Sequence, residues 1–237
     1  MSLEYDKITA YHYAAYRPLL HTQILEEVLS SKNKADLGLD IGCGTGQSSI
    51  ALTNFCKKVI GIEPSQEMLD NAIVHQNVEY SYYDCEHIEY QDNLFDIITF
   101  AGSLFYGKSQ QLLDETIRVS KNNAQLIAYD FNTLLEPVIE SIGVKPNVEP
   151  INYNHSEDFS GLNTNNIGLI NKFEKPLQLV ISATNLAHLL LSSKDNYRLL
   201  KAHFGSDNLY QKVLEALLDK TTTIETMTYL TSYKVAK

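Results

Sequence analysis

One segment constrains the fold of this chain more than any other: a glycine-rich turn between an apolar run and a stretch of helical periodicity. The apolar run covers 37–41, and the turn reads Asp40-Ile41-Gly42-Cys43-Gly44-Thr45-Gly46. Glycines at alternate positions let the backbone bend sharply and let a ligand approach it without a Cβ in the way. The segment predicts a strand, a tight turn and a helix that hold an adenine-nucleotide-like ligand, with a purely structural turn as the alternative.

Short apolar runs and helical stretches alternate along most of the chain. Strands are predicted at 37–41, 58–62, 78–83, 95–100, 125–131, 170–181 and 222–235. Helices are predicted near 18–30, 47–55, 66–76, 109–121, 183–191, 194–203 and 207–219. Strands that alternate with helices at this spacing are typical of a parallel sheet with helices on both faces. We therefore predict a Rossmann-like, doubly wound α/β fold with a mostly parallel seven-stranded sheet and an antiparallel C-terminal strand.

The length of 237 residues fits a single domain. Within it we expect an N-terminal helical cover over 1–35, a ligand-binding core over 36–131, and C-terminal helices with the final strand over 176–237. Between the last two, 132–175 is rich in Asn, Gly and Pro. A connection of that length is typical of a lid or an insert, and we expect a lid.

The spacing of the glycines indicates the kind of ligand. Dinucleotide sites use G-x-G-x-x-G, whereas this turn is G-x-G-x-G with an acid before it, which disfavours an NAD-dependent oxidoreductase. Glu63 follows Gly42 by 21 residues and ends the second apolar run. From that place a carboxylate can accept both hydroxyls of a ribose. A solvated strand end is the alternative for Glu63.

Three more segments complete the pattern: Asp6-Lys7-Ile8 with Tyr13 to Pro18, then Tyr83-Asp84-Cys85-Glu86, then Phe95 to Tyr106. Together with the glycine turn and Glu63, they resemble the class I S-adenosylmethionine-dependent methyltransferases. The similarity is to the small-molecule branch (type 11) that includes the ubiquinone-biosynthesis and trans-aconitate methyltransferases, and it covers residues 6 to about 131. It implies that S-adenosylmethionine is the cofactor and that its methyl group passes to a small-molecule acceptor by in-line displacement.

The resemblance also implies which residues bind the cofactor. The turn from Asp40 to Gly46 is expected to surround its methionine part, and Glu63 to bind its ribose. The full set consists of Tyr13, Arg17, Asp40, Gly42, Cys43, Gly44, Thr45, Gly46, Glu63, Pro64, Ser65, Met68, Asp84, Cys85, Ala101 and Gly102.

The adenine is expected to lie beyond the second and third strands. The resemblance implies that Pro64, Ser65 and Met68 border it, that Asp84 binds its amino group, and that the backbone N–H of Cys85 meets the ring. Tyr83 stands where the family usually has glycine. The larger side chain is expected to narrow the space beside the adenine.

The reaction centre is expected at the end of the fourth strand, lined by Ala101 and Gly102. Tyr13 and Arg17 are expected to approach the carboxylate end of the cofactor, because a guanidinium pairs with a carboxylate through two parallel hydrogen bonds. A surface ion pair is the alternative for Arg17. Tyr13 and Tyr106 are candidate residues of the acceptor pocket.

One departure from the family leaves the catalytic residues unassigned. Many relatives carry His-Trp after the fourth strand, and this chain has Phe105-Tyr106. A carbanion, carboxylate or thiolate acceptor needs little help from a base, whereas a neutral hydroxyl needs a general base or a metal. The missing histidine keeps a second hypothesis open, that of a non-catalytic regulator or module that binds S-adenosylmethionine.

The remaining expectations concern metals and partners. No metal site is predicted, because the seven histidines are scattered and the three cysteines lack C-x-x-C spacing. The net charge of −10 opposes binding to a phosphate backbone, so nucleic acid is not an expected partner. Unpaired cysteines, the absence of an apolar leader and the lack of a run of about 18 apolar residues predict a cytoplasmic protein without a membrane partner. We expect a monomer or a homodimer.

Overall fold

The computed structural model describes residues 8–9, 11–12, 15–16, 18, 20–83, 87–146, 152–218 and 223–237. The chain divides into two compact units. The larger unit consists of Leu19–Phe131, Tyr153–Lys175 and Thr228–Lys237, and the smaller one of Met1–Pro18, Asn132–Asn152 and Pro176–Met227. The segment 132–175 is therefore shared, with its first half in the smaller unit and its second half in the larger.

Seven strands form one sheet in the order β3-β2-β1-β4-β5-β7-β6. Their bounds are β1 Ala35–Ile41, β2 Cys56–Glu63, β3 Val78–Tyr82, β4 Phe95–Ala101, β5 Ser120–Thr133, β6 Ile167–Val180 and β7 Thr223–Val235. The pairs β1–β2, β1–β4, β2–β3 and β4–β5 are parallel. The order reverses direction between β1 and β4, and ligands of such sheets bind at that point, outside the carboxyl ends of the strands.

The last two strands run antiparallel to their neighbours. Just after β7, the backbone N–H of Ala236 donates to Asn166 O, beside the start of β6. Nearer the start of β7, the Oγ1 of Thr228 donates to Lys175 O, in the second half of β6. The two strands therefore run in opposite directions. On the other side of β7, Leu134 N donates to Glu225 O.

Five helices are described in the larger unit: α1 His21–Glu26, α2 Gln47–Leu52, α3 Gln66–Asp70, α4 Leu104–Gly107 and α5 Gln110–Val119. Helix α5 begins where Ser109 Oγ accepts from Leu112 N at 3.1 Å, and it buries Leu112, Leu113 and Ile117 on one face. These side chains pack with the apolar residues of β1, β4 and β5 in a single core. The core holds the parallel strands in place beneath the turns at their carboxyl ends.

The smaller unit contains a second apolar core. Its described helices are α6 Glu136–Ser141, α7 Ala183–Leu191, α8 Lys194–Phe204 and α9 Leu209–Leu217. Leu186, Leu190, Leu200 and Val213 are fully buried there. No described helix is both long and apolar enough to cross a bilayer.

The predicted fold is confirmed: the sheet has seven strands, is mostly parallel and has antiparallel C-terminal strands. The helices are shorter than periodicity predicts. Helix α3 ends at Asp70 rather than near 76, because the chain turns back and Ile73 N donates to Thr45 O at 3.0 Å. A contact with the glycine turn thus ends the helix.

An ion-pair network fixes the segment after β3 to helix α5. Arg118 Nε and Nη2 donate to the two carboxylate oxygens of Glu115, each at 2.8 Å, and Arg118 also donates to the carbonyls of Ile88 and Tyr90. Glu115 in turn accepts from Ile88 N at 3.0 Å. The hydrogen bond from Arg118, followed by the one from the Ile88 N–H, lowers the pKa of Glu115 from 4.5 to about 2.

We predict that Glu115→Gln lowers the free energy of unfolding at pH 7 by about 1–3 kcal/mol, because it removes hydrogen bonds between charged groups. The folded pKa lies below the unfolded one, so this stabilisation is complete above a pH of about 4.5 and is lost as the pH falls toward 2. Urea denaturation at pH 7 and at about pH 3 should show the difference between wild type and variant shrinking. Asp114→Asn, an exposed carboxylate on the same helix, is the control. Equal effects of the two substitutions would contradict the prediction.

Candidate functional site

The glycine turn lies at the carboxyl end of β1, and its three glycines all have positive φ. The angles are 72° at Gly42, 55° at Gly44 and 91° at Gly46. A Cβ on Gly46 would lie 1.9 Å from the Tyr80 hydroxyl, so no larger residue fits there. A Cβ on Gly44 would meet nothing within 4 Å. The backbone at Gly44 therefore borders an open cradle that a side chain would fill.

Hydrogen bonds from neighbouring strands hold the turn in place. Gly42 N and Cys43 N both donate to Ile62 O on β2, at 2.8 and 3.1 Å. Thr45 O accepts from Ile73 N at 3.0 Å. The turn is therefore preorganised by β2 and by the segment after α3.

Cys43 is buried inside the turn. Burial, together with the nearby Asp40 and Glu63 carboxylates, raises the pKa of its thiol well above the ordinary value. The thiol stays protonated near neutral pH and does not act as a nucleophile.

Asp40 is completely buried beneath the turn. Its Oδ2 accepts from Ser48 Oγ at 2.6 Å and Ser49 Oγ at 2.7 Å, and its Oδ1 accepts from Thr99 Oγ1 at 2.9 Å. Burial raises the pKa of this carboxyl, and the three hydroxyls act in the opposite direction. Asp40 thus joins β1 to α2 and β4, and its predicted contact with the cofactor stays a prediction.

Glu63 ends β2 and reaches back to the glycine turn. Its Oε2 accepts from Gly44 N at 2.9 Å and its Oε1 accepts from Ser65 N at 3.0 Å. An ionised carboxylate oxygen can accept more than one hydrogen bond, so each oxygen retains capacity for a further donor. The two carboxylate oxygens lie side by side, at a spacing that suits two neighbouring hydroxyl groups. The sequence predicts that Glu63 binds such a pair, the hydroxyls of a ribose.

The segment after Glu63 presents apolar side chains at the surface. Ser65 caps α3 by accepting from Met68 N at 3.3 Å, while Pro64 is exposed. Met68, Ile73 and Val74 are also exposed. Exposed apolar side chains next to a carboxylate are consistent with a surface on which a flat base packs.

The end of β4 turns sharply at Gly102, next to Ala101. Gly102 N donates to Tyr129 O at 2.8 Å, and the following Ser103 Oγ donates to Ile41 O. The carboxyl ends of β1, β4 and β5 are therefore linked by hydrogen bonds. Ala101 and Gly102 lie at the edge of the sheet to which the sequence assigns the reaction centre.

A cluster of polar residues adjoins Gly102. Tyr153 Oη lies 2.8 Å from Gly102 O and 2.9 Å from Asp130 Oδ2. His155 Nδ1 lies 2.7 Å from the same Asp130 oxygen, and Asp130 Oδ1 accepts from Phe131 N at 2.8 Å. Burial, followed by the Asp130 charge, raises the pKa of the Tyr153 hydroxyl well above the ordinary value, so Tyr153 acts as a donor and not as a base.

Aromatic rings surround this cluster. The His155 ring stacks on Tyr229, with centroids 5.6 Å apart and planes at 13°, and the Tyr153 ring lies 4.7 Å from Phe105. A narrow pocket between them is lined by Phe100, Gly102, Leu104, Phe105, Ala128, Tyr129, Asp130, Tyr153, Asn154, His155 and Glu157.

Sequence reasoning does not find this cluster. His155 is 25 residues from Asp130, in a stretch rich in Asn and Gly, and no motif links the two. The only available signal is the place of Asp130 near the carboxyl end of a predicted strand, where functional side chains of such sheets gather.

Two groups of predicted residues remain untested. Tyr106 is 78% exposed, and its ring centroid lies 5.7 Å from that of Tyr153, so its place in an acceptor pocket stays a prediction. The predictions for Tyr13, Arg17, Asp84 and Cys85 concern residues outside the described ranges.

In the part of the chain that the structure describes, no group of three or more His, Cys, Asp and Glu side chains is arranged to hold a metal ion.

Comparisons with known proteins show similarity to methyltransferases over part of the chain. Residues 39–128 match the model of a methyltransferase domain. A Dictyostelium discoideum protein named as a methyltransferase is 32% identical over 123 residues, which is 52% of this chain and 47% of that protein. The demethylmenaquinone methyltransferase of Lactobacillus johnsonii is 33% identical over 116 residues, 44% of this chain and 48% of that enzyme. The matches thus span about half the length of these relatives.

A solved structure supports the fold over nearly the whole chain. It belongs to a protein of Anaeromyxobacter dehalogenans described as a type II methyltransferase, with a TM-score of 0.59 at 17% identity, and the match covers 94% of this chain and 98% of that one. Residues 39–128 are therefore similar to a methyltransferase domain, and the glycine turn together with the Glu63 carboxylate fits S-adenosylmethionine as the cofactor of such a domain.

Proposed function

We propose that the chain transfers the methyl group of S-adenosylmethionine to a small-molecule acceptor by in-line displacement. The observation that carries the proposal is the Glu63 carboxylate, which is fixed by the backbone N–H groups of Gly44 and Ser65 and keeps one free acceptor direction on each oxygen. It lies at the carboxyl end of β2, which neighbours β1, and beside the open backbone of Gly44.

The chemistry of the residues fits the cofactor. Glu63 suits the two hydroxyls of a ribose, the open backbone at Gly44 suits the methionine part, and the exposed Met68 suits a flat base. Contacts of Asp84 and Cys85 with the adenine, and of Tyr13 and Arg17 with the carboxylate end, are part of the proposal and come from the resemblance alone.

Bound S-adenosylmethionine supplies a methyl group on a positively charged sulfur, which is an activated leaving group. The task of the protein is then to align the acceptor and exclude water. Such positioning contributes at most about 7–11 kcal/mol to lowering the barrier. Gly102 at the end of β4, the Tyr153 hydroxyl and the aromatic rings around it are the groups that we assign to this task.

Two observations favour a small acceptor. The net charge of −10 disfavours a nucleic acid, and the pocket beside Gly102 is narrow and walled by aromatic rings. The Lactobacillus relative is named for demethylmenaquinone, which is itself a small molecule. The alternative of a non-catalytic module rests on the missing His-Trp pair. The His155–Asp130 pair beside the pocket favours the enzyme, because it places a histidine there from another segment.

We predict that Glu63→Gln weakens the binding of S-adenosylmethionine by about 1–3 kcal/mol, since the amide offers one acceptor oxygen where the carboxylate offers two charged ones. Isothermal titration calorimetry on the full chain measures the affinity, and Glu67→Gln, an exposed acid in the first turn of α3, is the control. Unchanged affinity in Glu63→Gln would remove the ribose assignment. Binding of NAD but not of S-adenosylmethionine by the wild type would remove the proposed function.

A second prediction concerns the open backbone at Gly44. Gly44→Ala should destabilise the protein by only about 1–2 kcal/mol, the cost of a left-handed residue, yet it should abolish cofactor binding because the methyl group enters the cradle. Gly143→Ala is a matched control, since Gly143 also has a positive φ, 80°, and space around its Cβ. Thermal denaturation and calorimetry on both variants separate the two effects. If Gly44→Ala binds the cofactor as tightly as Gly143→Ala does, the cradle is placed wrongly.

A further inference from the structure

The pair of Asp130 and His155 is not among the residues assigned to the cofactor, yet it adjoins the proposed reaction centre. Tyr153 Oη connects it to Gly102, at 2.9 Å from Asp130 Oδ2 and 2.8 Å from Gly102 O. The Tyr153 hydroxyl therefore bridges the pair and the backbone of Gly102, which the proposed function assigns to the methyl-transfer site.

The hydrogen-bond partners of Asp130 determine which nitrogen of His155 carries the hydrogen. Oδ1 accepts from Phe131 N, and Oδ2 faces both Tyr153 Oη and His155 Nδ1. An ionised carboxylate only accepts, so His155 Nδ1 must donate. In the neutral ring, Nε2 then holds a lone pair.

Nothing in the described part of the chain uses that lone pair. No hydrogen-bond partner of Nε2 is found there, and the His155 side chain is 27% exposed. The ring is held by its stack on Tyr229 and by an edge contact with Tyr153 at 4.7 Å. His155 thus presents a fixed, available proton acceptor at the wall of the pocket.

We infer that His155 is the general base of the methyl transfer, that Asp130 is a positioning residue for it, and that the acceptor is a small neutral molecule with a hydroxyl or amine hydrogen. The inference rests on the proposed function and adds a base and an acceptor class to it. Nε2 takes the proton of the acceptor while the lone pair of the acceptor oxygen or nitrogen forms the bond to the methyl carbon. The carbon–sulfur bond breaks, its electron pair stays on sulfur, and the imidazolium returns its proton to water.

The charges of the pocket favour this acceptor class. Asp130 and Glu157 both line it, and Lys108, which pairs with Glu157 at 2.6 Å, offsets one of the two negative charges. A carboxylate acceptor would meet the remaining charge, and it would have no need of a base. The rings of Phe105 and Tyr153, which line the pocket, suit an aromatic or apolar body.

The first experiment reads the tautomer of His155 without any turnover. Long-range ¹H–¹⁵N correlation spectra of the labelled full chain are recorded at a pH above the imidazolium titration, with His155→Asn used to assign the signal and His203→Asn as the control. We expect hydrogen on Nδ1 in the wild type, and a shift toward the Nε2–H form in Asp130→Asn, because an amide can donate to Nδ1. The inference would be overturned if the wild type carried the hydrogen on Nε2, or if Asp130→Asn left the tautomer of His155 unchanged.

The second experiment measures turnover with S-adenosylmethionine and defined acceptors: phenol, catechol and aniline against benzoate and trans-aconitate. We expect methylation within the first group only. In His155→Asn the kcat should fall by about 10²–10⁴-fold, with KM and the calorimetric affinity for S-adenosylmethionine unchanged, while His203→Asn keeps full activity. Asp130→Asn should lower kcat in the same direction.

The outcomes separate the two proposals. If the wild type does not bind S-adenosylmethionine, the proposed function fails, and the tautomer still reports on the His155–Asp130 pair. If it binds but methylates only the carboxylates, or none of the five compounds, the acceptor class is wrong. If phenol or amine methylation is insensitive to His155→Asn, His155 is not the base.

Discussion

The architecture of the site depends on one buried carboxylate. Asp40 has no contact with water, and a charge removed from water is costly unless it is fully hydrogen-bonded. Two serines of α2 and a threonine of β4 supply the donors, so satisfying Asp40 fixes the helix and both strands against each other. The glycines of the turn begin at Gly42, directly after Ile41, and are held by this fixed framework. The Gly44 N–H within the turn donates to Glu63. The carboxylate that we propose to bind the ribose is thus oriented by a chain of hydrogen bonds that begins at Asp40.

The parallel sheet brings together groups that are distant along the chain. Each parallel strand ends at the same edge, so Gly42, Glu63, Gly102 and Asp130 meet there although they are spread over almost ninety residues. The groups that we propose to bind the cofactor come from turns that directly follow β1 and β2. The polar pocket instead draws Tyr153 and His155 from a later segment. In our proposal, the first part binds the cofactor and the second part binds the acceptor.

The sequence predicts the features that depend on local patterns. Apolar runs and glycine spacing locate the strands, the turn and Glu63, because backbone bending and burial leave their record in neighbouring residues. Contacts between distant segments leave no such record: the hydroxyl partners of Asp40, the Gly44 bond to Glu63 and the approach of His155 to Asp130 follow from tertiary packing. Helix α3 illustrates the same limit, since its end is set by the bond from Ile73 to Thr45 and not by a stop signal. The missing His-Trp pair leaves the general base unassigned from the sequence, because His155, which we propose for that role, reaches Asp130 only through tertiary packing.

The hydroxyl of Tyr153 has one hydrogen and two acceptors within reach, the Gly102 carbonyl and the Asp130 carboxylate. The phenolic O–H can point at either oxygen, and the oxygen that it leaves regains a lone pair that is free to accept another hydrogen bond. An arriving donor group is therefore accommodated by rotation about a single C–O bond, with no displacement of heavy atoms. The pocket can change which of its oxygens is available while its walls stay still.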